Sequence, residues 1–437
     1  MMSQASPSRG DASDSRTVVC AGFIPLTDCA PLVVAAHKGF AADEGLTLEL
    51  HRETSWATIR DRVVFGHFDV AQMLAPMPLA RSLGIGHIKV PMIAPCALSQ
   101  GGNAITVSAD LWQRMEGAGA RLGAAPGTNG AALAAVIKAR DRSEPLVFAM
   151  VYPFSGHNYE LRYWLAAAGI HPDRDVRLIV VPPPMMGAAL AAGQIDGFCV
   201  GEPWSSLAVD EGSGRIAATK ADIWRQSPEK VLGCRRDWAD ANADTLAALI
   251  RALHAAARWA DDPGNRDALC ALLAHPDHLN VPAGVIGRAL TGRLIAAPGT
   301  EPLEIPDFLA FHRHAASFPW RSHALWIYSQ MVRWGQVPFS AEGMRAAADT
   351  YRPDLYRAAL AGTGAVIPNA SAKVEGALTR AEPVAAGDKT LTLGPDGFFD
   401  ERIFDPAEVE AYIASFAIHT EPLDGDAVRP ADPSGIR

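Results

Sequence analysis

Residues 197–206 read GFCVGEPWSS, and this stretch decides the fold of the chain. Its first half is a short apolar run that predicts a buried β-strand, and the Glu-Pro pair that follows predicts a turn. The preceding segment, residues 182–196, reads PPPMMGAALAAGQID and contains a predicted helix at 185–192. A helix followed by a buried strand is the repeating unit of an α/β sheet.

The same alternation of helices and strands continues on both sides of this unit. It predicts parallel sheets that are covered on both faces. Two such blocks, between which the chain crosses twice, predict two lobes with a ligand cleft beyond the carboxyl ends of the strands. The predicted strands are residues 18–24, 46–50, 68–73, 90–96, 103–109, 121–126, 146–153, 176–184 and 196–203, and the helices among them are residues 30–40, 55–64 with Ser55 as N-cap, 159–168 and 185–192.

The pattern becomes mainly helical beyond residue 230. Residues 404–416 predict a last helix with Asp405 as its cap and Pro406 in its first turn. Residues 365–395 lack periodicity and are interpreted as a surface excursion or a flexible link. Apolar residues recur at helical spacing in residues 243–260, 310–318, 324–334 and 341–351.

These elements suggest a division of the chain into two lobes and two tails. Lobe I comprises residues 17–102 plus 225–420, the latter with a helical C-terminal extension. Lobe II comprises residues 103–224. Residues 1–16 and 421–437 are expected to be disordered tails.

The composition is that of an ordinary globular chain. It has 437 residues, a formal net charge of −9 and 49% hydrophobic residues. Such an acidic chain is not expected to bind nucleic acid directly, although one buried cation can still hold an anion. Six scattered cysteines without a CxxC pair predict reduced core thiols, which fit a reducing compartment.

The first sixteen residues contain no apolar run. An export signal needs an apolar segment of about 7–15 residues, and a membrane-spanning helix needs about 18. We therefore expect a cytoplasmic protein that does not enter a membrane. A chain whose leader had been removed gives the same pattern, and this alternative stays open.

Motifs for cofactor and metal chemistry are missing from the sequence. It contains no ATP-binding GxxxxGK[ST] loop, no GxGxxG after a strand, no HExxH, no EF-hand loop and no GxSxG elbow. The thirteen histidines are spread without ligand spacing. The sequence therefore predicts neither a cofactor nor a metal, and no enzyme.

Several segments, in order, resemble the nitrate- and bicarbonate-binding proteins that serve bacterial uptake transporters. They are residues 22–46, 55–63, 74–80, 156–176, 197–204, 228–238, 318–338 and 398–406. The resemblance implies an α/β, two-lobed periplasmic-binding-protein-like fold of type II, with the ligand cleft between the lobes. Because nitrate only accepts hydrogen bonds, its site must offer donors and positive charge, and no unpaired carboxylate.

Four positions match the nitrate-binding motif of that family. Trp56 offers an indole N–H, Lys230 a counter-charge, His157 a ring at a helix start, and Asn103 an amide where nitrate receptors have Gln. The alternatives are a core tryptophan, an exposed lysine, a structural histidine and an amide that reaches the anion only through water. Bicarbonate-binding relatives carry an acidic residue and a calcium ion at the lysine position, so Lys230 favours nitrate or nitrite without a metal.

Four further residues are secondary candidates. Gly156 and Gly201 are expected to let the backbone approach the cleft. Glu202 would repel an anion, so it is interpreted as a hinge or inter-lobe hydrogen-bonding residue. Trp204 belongs to the same motif, and its role stays open.

Among family members without an export signal, the chain resembles the NasS-type nitrate/nitrite sensors of nitrate assimilation. This resemblance implies a partner, a NasT-type response-regulator antiterminator with an RNA-binding ANTAR domain, which is released when the anion binds. The alternative is the solute-binding subunit of an ABC transporter for nitrate, nitrite, bicarbonate or cyanate. An enzyme of the thiamine-pyrimidine synthase type shares the fold, but the sequence offers no nucleophile–base pair for it.

Overall fold

The computed structural model describes residues 16–86, 88–141 and 143–420. The predicted tails, apart from residue 16, lie outside the described residues. Within the described part the strands are β1 (Thr17–Phe23), β2 (Leu46–Arg52), β3 (Val70–Leu74), β4 (Met92–Gly101), β5 (Asn103–Ser108), β6 (Leu146–Met150), β7 (Val176–Val180), β8 (Gly197–Gly201), β9 (Gly214–Thr219), β10 (Pro228–Arg235), β11 (Arg293–Leu294), β12 (Leu303–Glu304), β13 (Leu309–Ala310), β14 (Glu382–Ala386) and β15 (Lys389–Leu393).

Helices cover both faces of the strands and dominate the C-terminal part. Those within the described part are α1 (Ala30–His37), α2 (Phe40–Asp43), α3 (Trp56–Val64), α4 (Pro76–Leu83), α5 (Ala109–Gly117), α6 (Pro126–Lys138), α7 (Gly156–Ala167), α8 (Met186–Ala191), α9 (Trp204–Asp210), α10 (Lys220–Ile223), α11 (Arg236–Ala241), α12 (Ala243–Asp261), α13 (Arg266–Ala274), α14 (Ala283–Thr291), α15 (Arg321–Arg333), α16 (Ala341–Thr350), α17 (Pro353–Leu360) and α18 (Val409–Ala414).

Two mixed sheets form the centres of two lobes. The lobe I sheet has the order β13-β4-β10-β3-β1-β2, and the lobe II sheet has the order β7-β6-β8-β5-β9. The expectation of purely parallel sheets is wrong, because β10 is antiparallel to β3 and β4, and β5 is antiparallel to β8 and β9. Both β5 and β10 enter their lobe directly after a crossing. They therefore run opposite to the strands that end at the cleft.

The first crossing between the lobes is two glycines long. Gly101 ends β4 with a φ of +74°, and Gly102 has a φ of +86° before β5 begins at Asn103. A Cβ on Gly101 would lie 2.1 Å from the carbonyl oxygen of Phe308. Only glycine fits this position, because other residues meet both a left-handed backbone and a clash. The second crossing runs from α10 to β10.

Two predicted elements are absent from their expected places. Residues 121–126 form no strand: residues 121–125 are a loop, and α6 begins at Pro126. The Asn129 side chain bonds both the N–H and the carbonyl of Arg121, and Gly123 has a φ of +70°. Residues 310–318 form no α-helix. The carboxylate of Asp261 accepts the backbone N–H groups of residues 311, 312 and 313, which wraps the chain around that carboxylate.

The last helix begins later than predicted. Asp405 accepts a hydrogen bond from the N–H of Ala407 at 2.9 Å, so its side chain closes a local turn instead of capping a helix. The helix α18 then begins only at Val409. In contrast, the predicted cap at Ser55 is confirmed, because its side chain accepts the N–H of Ala57 at the start of α3.

The C-terminal part contacts both lobes. Helix α15 packs against α4 of lobe I. On the lobe II side, the hydroxyl of Tyr163 donates to Asp400 at 3.0 Å, and the hydroxyl of Tyr159 donates to Gln336 at 2.7 Å. A single hydrophobic core includes Trp326 and Phe398 together with buried side chains of both sheets. This part therefore joins the lobes behind the cleft.

Residues 365–395 form an ordered surface excursion, and the flexible-link interpretation is wrong. They contain the β14–β15 hairpin. The ammonium of Lys373 pairs with the buried carboxylates of Glu375 and Asp396. None of the helices in the described residues combines the length and apolar character that a bilayer-spanning segment needs.

Candidate functional site

The structure brings the four predicted ligand residues together at the contact between the lobes. Trp56 is the first residue of α3, and His157 is the second residue of α7, where Ser155 accepts the N–H of Asn158 as N-cap. Asn103 opens β5 directly after the glycine crossing, and Lys230 lies in β10 directly after the second crossing. The Lys230 ammonium is 5.4 Å from the centre of the Trp56 ring. Both helices begin, and both strands enter their lobes, at the cleft.

Three carboxylates and a second lysine that were not predicted from the sequence occupy the same place. Glu229 lies between two ammonium groups, because it contacts both Lys230 and Lys220, the latter at 2.5 Å. Asp28 accepts from Lys230 at 2.8 Å, and Glu160 accepts from Lys220 at 2.5 Å. We call these four residues, together with the four predicted ones, the inter-lobe cluster; its members are Asp28, Trp56, Asn103, His157, Glu160, Lys220, Glu229 and Lys230.

Signals for the missed residues were present but weak. Glu160 follows His157 by three residues, a spacing that puts both side chains on one face of a helix. Glu229 immediately precedes Lys230, and Lys220 begins α10 directly after β9 ends. Only the tertiary fold shows that these positions meet, because Glu160 lies in α7 whereas Lys220 and Glu229 flank the second crossing, some sixty residues further along the chain.

The inter-lobe cluster is a fully buried ion network. No member has more than 3% of its side chain exposed. Asn103 donates to Glu229 at 2.7 Å and approaches Glu160 at 3.4 Å. On the other side Gln72 donates to Asp28 at 2.5 Å and accepts the N–H of Ile24. Each carboxylate is thus paired with an ammonium, as the desolvation of buried charge requires.

Burial and neighbouring charge shift the pKa values in opposite directions. Burial raises the pKa of Glu160 to about 7, and the nearby Lys220 only partly offsets it. Burial also lowers the pKa of His157 to about 3, so its imidazole is neutral at neutral pH. The pKa of Glu229 stays below its usual range, since the ammonium groups of Lys220 and Lys230 outweigh burial. The two lysines remain charged, because their carboxylate partners outweigh burial and raise both pKa values.

Several buried nitrogen atoms in the cluster have no hydrogen-bond partner among the described residues. They are the indole Nε1 of Trp56, which is a donor, and the two ring nitrogens of His157, of which one is a donor in the neutral imidazole. The Nε2 atom of His157 lies 3.4 Å from Glu229 without forming a hydrogen bond. Buried N–H groups are normally paired, and an unpaired one costs about 1–3 kcal/mol. Their convergence near Lys230 marks a place that can accept a small hydrogen-bond acceptor.

The secondary candidates also lie at this contact. A Cβ on Gly156 would meet Glu229 at 2.8 Å, and a Cβ on Gly201 would meet Asn103 at 3.2 Å. The carbonyl of Glu202 accepts the N–H of Thr27 at 2.9 Å, and the indole of Trp204 donates to the carbonyl of Pro25 at 3.1 Å.

Glu202 and Trp204 therefore hydrogen-bond across the lobes. The Glu202 side chain itself binds the N–H of Ser206 within α9, and burial raises its pKa to about 7.

Other clefts and clusters lie outside the lobe contact. One surface cavity of about 520 Å³ is lined by His37, His275, Asp277 and His278 together with apolar side chains. Another of about 310 Å³ lies on lobe II near Lys138. In the described part of the chain, one group of potential metal ligands converges, formed by Cys20, Glu49 and His51 on adjacent strands. None of these contains a buried ion network with free donors.

Comparison with known proteins agrees with the fold. Residues 13–274 match the NMT1-like family. The chain is 32% identical over 405 residues to the nitrate/nitrite binding protein NrtA of Nostoc sp. (strain PCC 7120 / SAG 25.82 / UTEX 2576). This alignment covers 91% of this chain and 85% of that relative. The crystal structure of the periplasmic nitrate-binding protein NrtA from Synechocystis PCC 6803 superposes with a TM-score of 0.80 at 30% identity, covering 92% of this chain and 99% of that one.

A longer relative contains a similar segment. The chain is 36% identical over 406 residues to the nitrate import ATP-binding protein NrtC of Synechocystis sp. (strain ATCC 27184 / PCC 6803 / Kazusa). The match covers 92% of this chain but only 55% of NrtC, so the chain spans about half the length of that relative. By their names these relatives are binding and import proteins.

Two mixed sheets around a closed, charged contact define the class of two-lobed, periplasmic-binding-protein-like folds, and the fold class expected from the sequence is confirmed. Within that class, the chain belongs to the NMT1-like family, as a member of its NrtA-like nitrate- and bicarbonate-binding group.

Proposed function

We propose that this chain binds nitrate or nitrite between its lobes, with Trp56, Asn103, His157 and Lys230 as ligand residues. The observation that carries the proposal is the set of unpartnered buried donors on Trp56 and His157 beside the Lys230 ammonium. A flat oxyanion that only accepts hydrogen bonds satisfies all of them at once. The relationship to nitrate/nitrite binding proteins supports this choice of ligand.

Each ligand residue has a distinct part in the proposal. Lys230 supplies the charge that offsets the desolvation of the anion. The indole of Trp56 donates one hydrogen bond and the ring of His157 donates another. Asn103 now donates to Glu229 at 2.7 Å, so an entering anion competes with that carboxylate for the amide.

Entry requires the lobes to separate. The cluster is shielded from solvent on both sides, and the lobes are linked by only short crossings at the cleft. Hinge motion about such crossings is a common way for two lobes to enclose a ligand. Anion binding therefore favours the closed arrangement, in which both lobes contact the ligand.

Trp56→Phe tests the site. The variant keeps an aromatic ring beside Lys230 but removes the indole N–H. A hydrogen bond to a charged group contributes about 1.5–3 kcal/mol, so we expect nitrate affinity to fall roughly tenfold to a hundredfold. Isothermal titration calorimetry with nitrate, nitrite, bicarbonate and cyanate measures the affinity and the preference.

Trp259→Phe is the matched control, because Trp259 lies in α12 beside Lys38, outside the cluster. It should bind nitrate like the wild type. If the wild type binds none of the four anions, the proposed function is wrong. If it binds nitrate but Trp56→Phe binds equally well, the assignment of the pocket is wrong.

The biological setting that the relatives favour is an ATP-driven anion importer, in which this chain is the solute-binding component. NrtA is a nitrate/nitrite binding protein and NrtC is a nitrate import ATP-binding protein. The test is stimulation of ATP hydrolysis. The purified chain with nitrate should activate a reconstituted importer from the same source, whereas Trp56→Phe at the same nitrate concentration should activate it less.

The second candidate is a cytoplasmic nitrate/nitrite sensor that holds an ANTAR-domain antiterminator and releases it when the anion binds. Its support is that all six cysteines are free and five of them are buried, as is usual in a reducing compartment. Co-purification with such an antiterminator, and loss of the complex on adding nitrate, would favour the sensor. Retention of the complex at saturating nitrate, or no complex at all, would favour the importer.

A further inference from the structure

The inter-lobe cluster holds more carboxylates than ammonium groups. Asp28, Glu160 and Glu229 face two lysines, Lys220 and Lys230. The imidazole of His157 is neutral at neutral pH, so it adds no positive charge. With every carboxylate ionised, the buried cluster therefore carries one net negative charge. Nitrate would add a second negative charge to a site from which water is excluded.

A second buried negative charge without a counter-ion is strongly unfavourable. A buried acid in that position takes up a proton instead of remaining ionised. We infer that nitrate enters this site together with a proton, and that the carboxyl group of Glu160 carries that proton. This inference rests on the proposed function, because it describes how the same site accommodates its anion.

Glu160 is the least supported of the three carboxylates. Glu229 contacts both lysines and accepts from Asn103 at 2.7 Å. Asp28 contacts Lys230 at 2.8 Å and accepts from Gln72 at 2.5 Å. Glu160 contacts only Lys220 closely, and the amide of Asn103 lies 3.4 Å from it. Neutralising Glu160 therefore gives up fewer contacts than neutralising either neighbour.

The surroundings of Glu160 contain titratable groups from several elements. Lys220 comes from α10, Glu229 and Lys230 from β10, Asp28 from the turn after β1, and His157 from the same helix. The thiol of Cys199 on β8 is also near, but burial raises its pKa well above the usual value, so it stays neutral. The pKa of Glu160, raised to about 7 by burial, agrees with a carboxyl that accepts a proton near neutral pH.

The direction of the pH effect follows from proton uptake. Above pH 7 the free protein has Glu160 ionised, so binding must protonate it, and affinity falls as pH rises. The expected slope is about tenfold weaker binding per pH unit, the effect of one proton. Below about pH 6 Glu160 is already protonated. There the proton uptake vanishes and affinity becomes independent of pH.

Calorimetric titration with nitrate measures this directly. Phosphate and Tris have different ionisation enthalpies. At pH 8, the heats of binding measured in the two buffers therefore differ by the number of protons exchanged multiplied by the difference between those enthalpies. We expect uptake close to one proton at pH 8 and close to none at pH 6. A series of affinities between pH 6 and pH 9 provides an independent measure of the same quantity.

Glu160→Gln identifies the proton carrier. The amide is uncharged at every pH, so the variant should bind nitrate about tenfold more tightly than the wild type at pH 8, without proton uptake and without the pH slope. Glu116→Gln is the control, because Glu116 is an exposed glutamate on α5 of the same lobe. It should retain the affinity, the slope and the uptake of the wild type.

The outcomes separate this inference from the proposed function. Absence of nitrate binding by the wild type at any pH rejects the proposed function and this inference with it. Nitrate binding without proton uptake at pH 8 leaves the proposed function standing and overturns the inference. Persistent uptake in Glu160→Gln also overturns it, since another group would then carry the proton. If the variant does not fold, the wild-type pH series alone decides.

Discussion

Lys230 is a buried cation that two carboxylates depend on, and the proposed function gives it a second role towards the anion. Its ammonium is completely buried and contacts Asp28 and Glu229. From the sequence, Lys230 is predicted to contact a ligand only, with an exposed lysine as the alternative. The structure excludes exposure, whereas the ligand role stays a prediction. Because two buried carboxylates depend on this cation, a substitution at residue 230 should change the stability of the fold as well as binding.

Lys230→Gln should therefore have two effects. It removes the charge that holds the anion, so nitrate binding should be lost in calorimetry. It also leaves two buried carboxylates without their shared cation, which should lower the free energy of unfolding by about 3–5 kcal/mol in urea denaturation. Combining it with Asp28→Asn should recover much of the stability but no binding. Recovery of binding in the double variant would contradict the role given to Lys230.

At the scale of elements, the residues that line the cleft lie at the first positions of strands and helices. Local signals predicted many of these positions, such as the N-cap at Ser55 that starts α3. The conformation of other segments is determined by contacts with residues distant in sequence. Residues 310–313 wrap around Asp261, and no pattern within those residues reports a carboxylate some fifty positions away. The same limit explains why the parallel sheets predicted from alternating elements are mixed.

Gly101→Ala tests the importance of the first crossing. A left-handed φ costs a residue with a Cβ about 1–2 kcal/mol, and the new Cβ would also lie 2.1 Å from the carbonyl of Phe308. We expect a loss of more than about 2 kcal/mol in the free energy of unfolding, measured by urea denaturation. Gly193→Ala is the control, because Gly193 has a φ of +68° and open space around it. An equal, small loss in both variants would show that the crossing tolerates movement of residue 308.

At the scale of the whole molecule, two lobes meet at an ion network and a C-terminal part joins them behind it. Tyr159 and Tyr163 of lobe II hydrogen-bond to Gln336 and Asp400 of that part. A ligand that contacts both lobes would therefore stabilise the entire chain and not one lobe alone. This follows because anything that binds only the folded state raises its stability by mass action.

Nitrate should accordingly raise the melting temperature in a single transition. At one hundred times the dissociation constant, the added stability is about 2.7 kcal/mol. Differential scanning calorimetry at pH 6, with chloride at equal ionic strength as control, measures it. A rise confined to one of two resolved transitions would show that the anion contacts only one lobe. An equal rise with chloride would point to an ionic-strength effect.

The sequence alone determined the two-lobed α/β class, most strand and helix positions, and the four residues that meet at the cleft. Periodicity, caps and the ordered family segments are properties of neighbouring residues, and these can be read along the chain. Only the tertiary structure decided which charges share the buried site. Asp28 lies in the turn after β1, Glu160 in α7, and Lys220 and Glu229 on either side of the second crossing, so these positions are far apart in sequence. Burial then makes their balance matter, since a low-dielectric interior does not screen an excess carboxylate as water does.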